Sequence, residues 1–488
     1  MGISVLTLSL SAKYFGVSIQ RDVWLLAFNC IVVLDLAIWG PLNETFRAKF
    51  IFFREENGED EALKRARSVL IFTNVITVVI VAFLILMPEL LAGFIAPGLK
   101  GAELAFLLFM IQVIAPSFLF NQIGQILISI LNAYNSIYIP EISGFISGII
   151  NLAMIILLAP VIGIYALACS YYLGLLLLIV LLVIQVKKMK INLFSQMTAV
   201  KLSDAMPFVL FALPFFLPYF AGQIANIVEK SIASTMGTGV VSVLDYARKF
   251  SDILLGVLSS VLTTILVPAL SVRFAQKDHT GFFQEFRQMY QGGLLLLAGI
   301  TAMFTACPGA FVAILYGQGS INTATLTQIS TLTTLYSWSA VAVFLYAIIG
   351  MSLIASKKGK IYALYGIVAQ LVMVALNLLF YKKLGTYIFP LSLLAAHFMA
   401  VILIFSHLPQ RKSLALITLK YLLLLVLVTT LLYGINVSFI KLSSPFLSLL
   451  ANGSLFLFLM LSLIFVFRLD EGLALRRLYQ TLARPQIK

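Results

Sequence analysis

Residues 223–273 read QIANIVEKSIASTMGTGVVSVLDYARKFSDILLGVLSSVLTTILVPALSVR. The stretch holds two apolar runs long enough to cross a bilayer. Unlike the other apolar runs, these carry Glu229, Lys230, Asp245, Arg248, Lys249 and Asp252 within or beside them. An ionisable side chain at bilayer depth costs about 2.5–3.5 kcal/mol or more, so it faces a water-filled cavity, a partner or a substrate. Cations crossed by a few carboxylates suit a ligand that carries phosphate. The same residues also admit a purely structural reading. Glu229 with Lys230, and Asp245 with Arg248 or Lys249, are possible ion pairs, and the (i, i+4) spacing of Asp245 and Lys249 sets them on one helix face.

Outward from this stretch the composition fixes the class. Of 488 residues, 61% are hydrophobic and 11% charged, against about 25% charged in soluble domains. The chain is an all-α polytopic membrane protein. Its net charge of +14 is carried by short loops, as the positive-inside rule requires, and nucleic acid is not an expected partner. Cys30, Cys169 and Cys307 lie in separate apolar runs, without the spacing of a disulfide framework or a zinc site. His397 and His407 read as packed histidines. Walker, HExxH, GxSxG and Rossmann motifs are absent, which argues against an enzyme and against ATP-driven transport.

The run from residue 2 to 16 is short for a span of about 20 residues, so either the first helix is stunted or the start lies upstream. Spans are expected at 23–41, 68–93, 103–132, 137–159, 162–186, 207–235, 239–270, 289–316, 324–354, 361–381, 387–407, 414–438 and 446–467, about fourteen in all. The basic loops at 45–67, 187–201, 273–287, 357–360 and 410–412 then share one side with the tail, and the opposite loops hold few bases, Arg21 among them. Both termini are therefore expected in the cytoplasm. The tail, with Arg468, Arg476, Arg477, Arg484 and Lys488, reads as a surface helix near anionic lipid.

A weak repeat supports the layout. WGPLNETFRAKF and, six spans later, LVPALSVRFAQ each precede a long charged cytoplasmic loop, as in transporters with parallel repeats. The expected architecture is an N-lobe over 1–190 (spans 1–6), a C-lobe over 200–410 (spans 7–12) with a cleft between them, two additional spans over 411–468 and a basic cytoplasmic tail over 469–488. Pro116, Pro140, Pro214, Pro218 and Pro268, with Gly144, Gly148 and Gly256, mark either hinges or close packing within spans.

The segment from Ser231 to Ser271 resembles the signature of the MurJ/MviN lipid II flippase family, within the multidrug/oligosaccharidyl-lipid/polysaccharide exporter superfamily. The residues that carry it are Glu229, Ala233–Ser234, Gly239, Ser242, Leu244 to Ala247, Lys249, Gly256–Val257, Thr264, Pro268 and Leu270–Ser271. YFGVSIQRDVWLLAF (14–28) is similar to another family element, giving Phe15–Gly16, Asp22 and Ala27–Phe28. The likeness spans roughly residues 5 to 400.

That resemblance implies a MATE-like fold of two six-helix lobes that moves an undecaprenyl-diphosphate-linked peptidoglycan precursor across the bacterial inner membrane by alternating access. Lys230, Arg248, Lys249 and Arg47 are the implied diphosphate contacts, with Asp22 and Asp35 lining the cavity and Glu229, Asp245 and Asp252 as gating or ion-pair residues. Arg47, at the end of a span, equally suits a snorkelling role at the surface. Family members carry basic residues in the first helix and paired arginines at the end of the second; here the first has VLTLSLSA and the second LDLAIWGPLNE, with Asp35. Two alternatives follow: a flippase for another polyprenyl-linked oligosaccharide, or a cation-coupled antiporter of the MATE type. A sodium site of the kind some members have would fall on Glu229, Asn377 and Ser392, with Met373 where a further polar ligand is expected. No cofactor is implied; coupling would come from Na+ or the membrane potential. The partners are the polyprenyl-diphosphate-linked sugar and membrane lipids, and the carrier is expected to be a monomer.

Overall fold

The computed structural model describes residues 2–136, 138–195, 201–408, 410–439, 442 and 444–466. The basic tail expected over 469–488 lies outside them. Among the described residues every regular element is helical and no strand occurs. Among the described residues ten helices are long and apolar enough to span a membrane, and two bent pairs, Ile19–Ile38 with Gly40–Asn57 and Leu202–Leu217 with Tyr219–Thr235, raise this to twelve. Two further expected spans differ from these only by length or division. Gly2–Phe15 has 14 residues, about 21 Å at 1.5 Å per residue. The apolar stretch Gly359–Phe405 runs 47 residues; unbroken it would reach about 70 Å, more than twice the hydrocarbon thickness. A 3-10 turn at Gly385–Tyr387 divides it into Gly359–Leu384 and Ile388–Phe405.

Prolines account for most of the departures from straight spans. A proline has no N–H and its ring clashes with the carbonyl four residues back, so a new helix starts there more easily than an old one continues. Pro41 sits in the first turn of Gly40–Asn57 after a 43° bend. Pro88 opens Pro88–Ile95, Pro116 precedes Ser117–Ala133, and Pro308 opens Pro308–Tyr316. Ahead of Pro268, residues Leu262–Leu266 relax into a π turn, in which Thr264 Oγ1 donates to the Ser260 carbonyl at 2.7 Å. The charged segment after the second span continues as helix. Glu59, Asp60 and Glu61 occupy the first turn of Glu59–Leu86, where acids favour the helix dipole, and Glu61 takes Arg65 Nε at 2.8 Å.

The chain forms two compact units. The first comprises Met1–Val243, Gly319–Ile321 and Val374–Thr386; the second comprises Leu244–Gln318, Asn322–Met373 and Tyr387–Lys488. In the first unit, Tyr138–Ile162 packs on Tyr165–Lys188, and Gly40–Asn57 on Met206–Thr235. In the second, Thr323–Ala355 packs on Ile388–Phe405, and His279–Ala306 on Arg411–Phe439, where Ala302, Ala306, Val428, Leu432 and Met460 are buried together. Val79, Phe94, Leu157, Leu379, Leu416 and Phe458 are all exposed, a distribution that lipid accepts and water does not.

Two close backbone approaches need glycine. A Cβ on Gly98 would fall on the Ser234 carbonyl, and one on Gly319 would fall on the backbone of Ala12 and Lys13. Backbone cannot swing aside as a side chain does. Gly98→Ala is therefore expected to destabilise the protein by about 1–3 kcal/mol, the usual cost of overpacking. A thermal melt of the purified variant unchanged from wild type would show that this approach is not tight.

Candidate functional site

The polar residues of the first unit fall into three groups. The first begins at Ser18, whose hydroxyl accepts the Arg21 N–H at 3.3 Å and caps the Ile19–Ile38 helix. That cap sets Arg21 and Asp22 one turn inside, each 2% exposed. Arg21 donates from Nε to Ser11 Oγ at 3.2 Å and from Nη1 to the Ser242 carbonyl at 3.4 Å. Asp22 accepts from the N–H groups of Gly239 and Ser242 at 2.5 and 2.7 Å, and from the Ser242 hydroxyl at 2.5 Å. Residues 239–242 begin the Val240–Val261 helix. Asp22 thus supplies that helix with an N-cap from 217 residues away, where a carboxylate meets both orphan donors and the positive end of the dipole. Asp22 lines a cavity of about 110 Å³ with Glu103, Ser234 and Thr238. At about 30 Å³ per water, this holds a few waters and no glycan headgroup.

The second group lies further along the same helix. Asp35 is 9% exposed, and its Oδ2 accepts from Asn121 Nδ2 of the Ser117–Ala133 helix. One turn beyond the bend, Asn43 and Gln122 exchange amide hydrogen bonds at 3.1 and 3.3 Å. The third group is Glu229 and Lys230, 3% and 9% exposed on the Met206–Thr235 helix. That helix bends by 50° at residue 218, a proline. Among the described residues no carboxylate lies within salt-bridge distance of the Lys230 ammonium. Asn377, in the Val374–Thr386 part of the unit, is fully buried. Arg47 is exposed on the Gly40–Asn57 helix.

From Leu244 onward, in the second unit, the helix that begins at Val240 is bolted down along one face. Leu244, Tyr246 and Ala247 are buried. The Tyr316 hydroxyl donates to the Tyr246 carbonyl at 3.2 Å, and Thr333 Oγ1 to the Ala247 carbonyl at 3.4 Å. The Tyr246 and Tyr316 rings meet with centroids 4.7 Å apart. The other face therefore presents Asp245, Arg248 and Lys249 half-buried, and Asp252 exposed. Arg248 Nε lies 3.2 Å from Asp252 Oδ1, one turn on. Ser392 is 1% exposed and donates to the Phe389 carbonyl at 3.1 Å; Met373 is also buried. Among the described residues no group of three or more His, Cys, Asp or Glu is placed to hold a metal ion.

Sequence reasoning left three contributors aside. Arg21, counted as a loop base, is a buried helical residue; the Ser18 cap was the available signal. Ser242 entered as a motif position without a role. Asn121, an amide inside an apolar span, could have been singled out on that ground alone.

Comparison with known proteins agrees with the architecture. The family model described as lipid II flippase MurJ matches residues 11–461. The lipid II flippase MurJ of Burkholderia cenocepacia is 26% identical over 404 residues, covering 78% of this chain and 74% of that protein. The probable lipid II flippase MurJ of Aquifex aeolicus is 26% identical over 431 residues, covering 82% and 79%. Among solved structures, a lipid II flippase MurJ in an inward closed conformation superposes with a TM-score of 0.79 at 20% identity, over 96% of this chain and 97% of that one. An inward-facing multidrug resistance MATE transporter of the MOP superfamily gives 0.72 at 12% identity, over 85% and 95%. These two likenesses establish the fold: an all-helical membrane protein of the MATE type.

Proposed function

From the premise that this chain belongs to the MurJ lipid II flippase family, we propose that it carries lipid II across the cytoplasmic membrane by alternating access, as a carrier and not an enzyme. Lys230 is the observation within the molecule that supports this best. A lysine that is 9% exposed in a membrane span, with no carboxylate in salt-bridge reach among the described residues, is costly unless an anion visits it. Lipid II brings such an anion. Its diphosphate cannot enter hydrocarbon without a partner. Lys230 in the first unit, and Arg248 and Lys249 in the second, are each candidates to replace its hydration, Arg248 by bidentate hydrogen bonds and the lysines as point charges. The polyprenyl tail stays in lipid, which removes any need for a cavity to house it. Arg47, exposed at the end of its span, suits first capture or a surface role.

The membrane potential offers a sufficient drive. Moving two negative charges outward, against a cytoplasm held negative, is favoured by about 4–5 kcal/mol per 100 mV. The loop charge distribution supports both termini in the cytoplasm, and a monomer acting alone is part of the same reading. Na+ coupling would rest on Glu229, Asn377 and Ser392. The family match favours lipid II over another polyprenyl-linked oligosaccharide and over a drug antiporter, whose cavity should be acid-dominated.

The test is complementation of a cell depleted of its own lipid II flippase, with membrane expression verified. Growth is expected to be restored. A well-expressed chain that fails to restore growth, and fails to move labelled lipid II in vesicles, would overturn the substrate assignment.

A further inference from the structure

The Ile19–Ile38 helix carries two buried aspartates in opposite circumstances. Asp22 is saturated by three donors. Asp35, also buried, has one: Asn121 donates to Oδ2, and Oδ1 is without a hydrogen-bond partner among the described residues. Its polar surroundings are neutral. Tyr171, of the Tyr165–Lys188 helix, lies within electrostatic reach of Asp35 and beside Ser117. Ser117 is 1% exposed, and its hydroxyl is a polar group buried beside that phenol.

The charged groups on the helices packed against this one do not compensate Asp35. Glu103 lies on Gly101–Ile114, Glu229 and Lys230 on Met206–Thr235, and Glu44, which takes the Tyr219 hydroxyl at 3.4 Å, on Gly40–Asn57 with Arg47, Lys49, Arg54, Glu55 and Glu56. On its own helix, Arg21 and Asp22 lie roughly 20 Å away along the axis. Asn121 is the hydrogen-bond donor that the described residues supply to Asp35.

We infer that Asp35 is a proton-binding carboxylate: Oδ1 takes a proton from water, and the neutral carboxyl is the form that packs inside the first unit. An ionised carboxylate with a single hydrogen bond and no cation is the costliest state a buried acid can occupy. Protonation turns Oδ1 from an orphaned acceptor into a donor, and the Ser117 hydroxyl and Tyr171 phenol are oxygens of the kind that accept from it. Asn121 remains satisfied in either state. The use of this proton in transport rests on the flippase reading; its presence on Asp35 does not.

Dicyclohexylcarbodiimide, which reacts with protonated carboxyls in apolar surroundings, tests the site on the full-length protein in detergent. Mass spectrometry should find the adduct on Asp35 at low pH, falling about tenfold per pH unit above the midpoint. Asn121→Ala, which removes the bond that favours the charged form, should move that midpoint upward. Infrared difference spectra between acid and alkaline samples should contain a protonated-carboxyl C=O band that Asp35→Asn removes, a readout independent of reagent access and of any substrate. Identical difference spectra for wild type and Asp35→Asn would overturn the inference. So would protection of Asp35 by Na+, absent with choline, at constant pH, which would assign the oxygen to a metal cation instead.

Discussion

Replacing Arg248 or Lys249 by alanine is expected to cut lipid II transport by tenfold or more while leaving the protein in the membrane. A hydrogen bond between charged groups contributes about 1.5–3 kcal/mol, and each 1.4 kcal/mol is a factor of ten. The double variant should retain almost no transport, without strict additivity, because both cations would serve one ligand. Arg248→Lys should fall between wild type and Arg248→Ala, since the charge survives and the planar fork does not. Folding is protected from these changes. Leu244, Tyr246 and Ala247 anchor the opposite face, and Tyr316 and Thr333 hold two of its carbonyls. The measurement is flippase-dependent growth alongside quantified membrane protein. Normal growth with both alanine variants would remove this face from the substrate path.

Asp22→Ala should give the largest loss of stability of any single change considered. It strips three donors of their acceptor and leaves the guanidinium of Arg21 buried beside them. Breaking a buried charged pair by removing one partner costs about 3–5 kcal/mol. Asp22→Asn keeps one acceptor oxygen but loses the charge at the helix N-terminus. Ser242→Ala loses only the hydroxyl contact, about 1 kcal/mol. Melting temperatures of the purified proteins should therefore fall in the order wild type, Ser242→Ala, Asp22→Asn, Asp22→Ala. A melt for Asp22→Ala at or above that of Ser242→Ala would show that the carboxylate does not carry the junction.

What was legible in the sequence follows from where the information lies. Apolar runs broken by basic loops reveal spans, because lipid enforces both features along the chain itself. Charged residues inside such runs stand out for the same reason, and Glu229, Lys230, Arg248 and Lys249 were all visible. Asp22 was visible too, but not its task, since the N–H groups it caps lie 217 and 220 residues further on. Nothing local encodes that meeting. Arg21 was misassigned to a loop because an apolar run alone does not say where its helix begins; the cap at Ser18 does. The helices that continue through the acidic and basic segment after residue 45 were hidden for a related reason. Their polar composition marks a water-facing surface without saying that the backbone stays helical.

The close approach of Gly319 to Ala12 and Lys13 has a consequence in time. A ribosome adding roughly 5–20 residues per second needs about 15–60 s after Ala12 to reach Gly319, and longer to deliver Val374–Thr386, the last part of the first unit. For most of that interval the opening helix is outside the ribosome while a surface it will rest against does not yet exist. The first unit is thus begun first and finished late, with most of its neighbour made in between. Insertion machinery must hold it unfinished, and a chain released early, at residue 243 for instance, would leave that docking surface permanently bare.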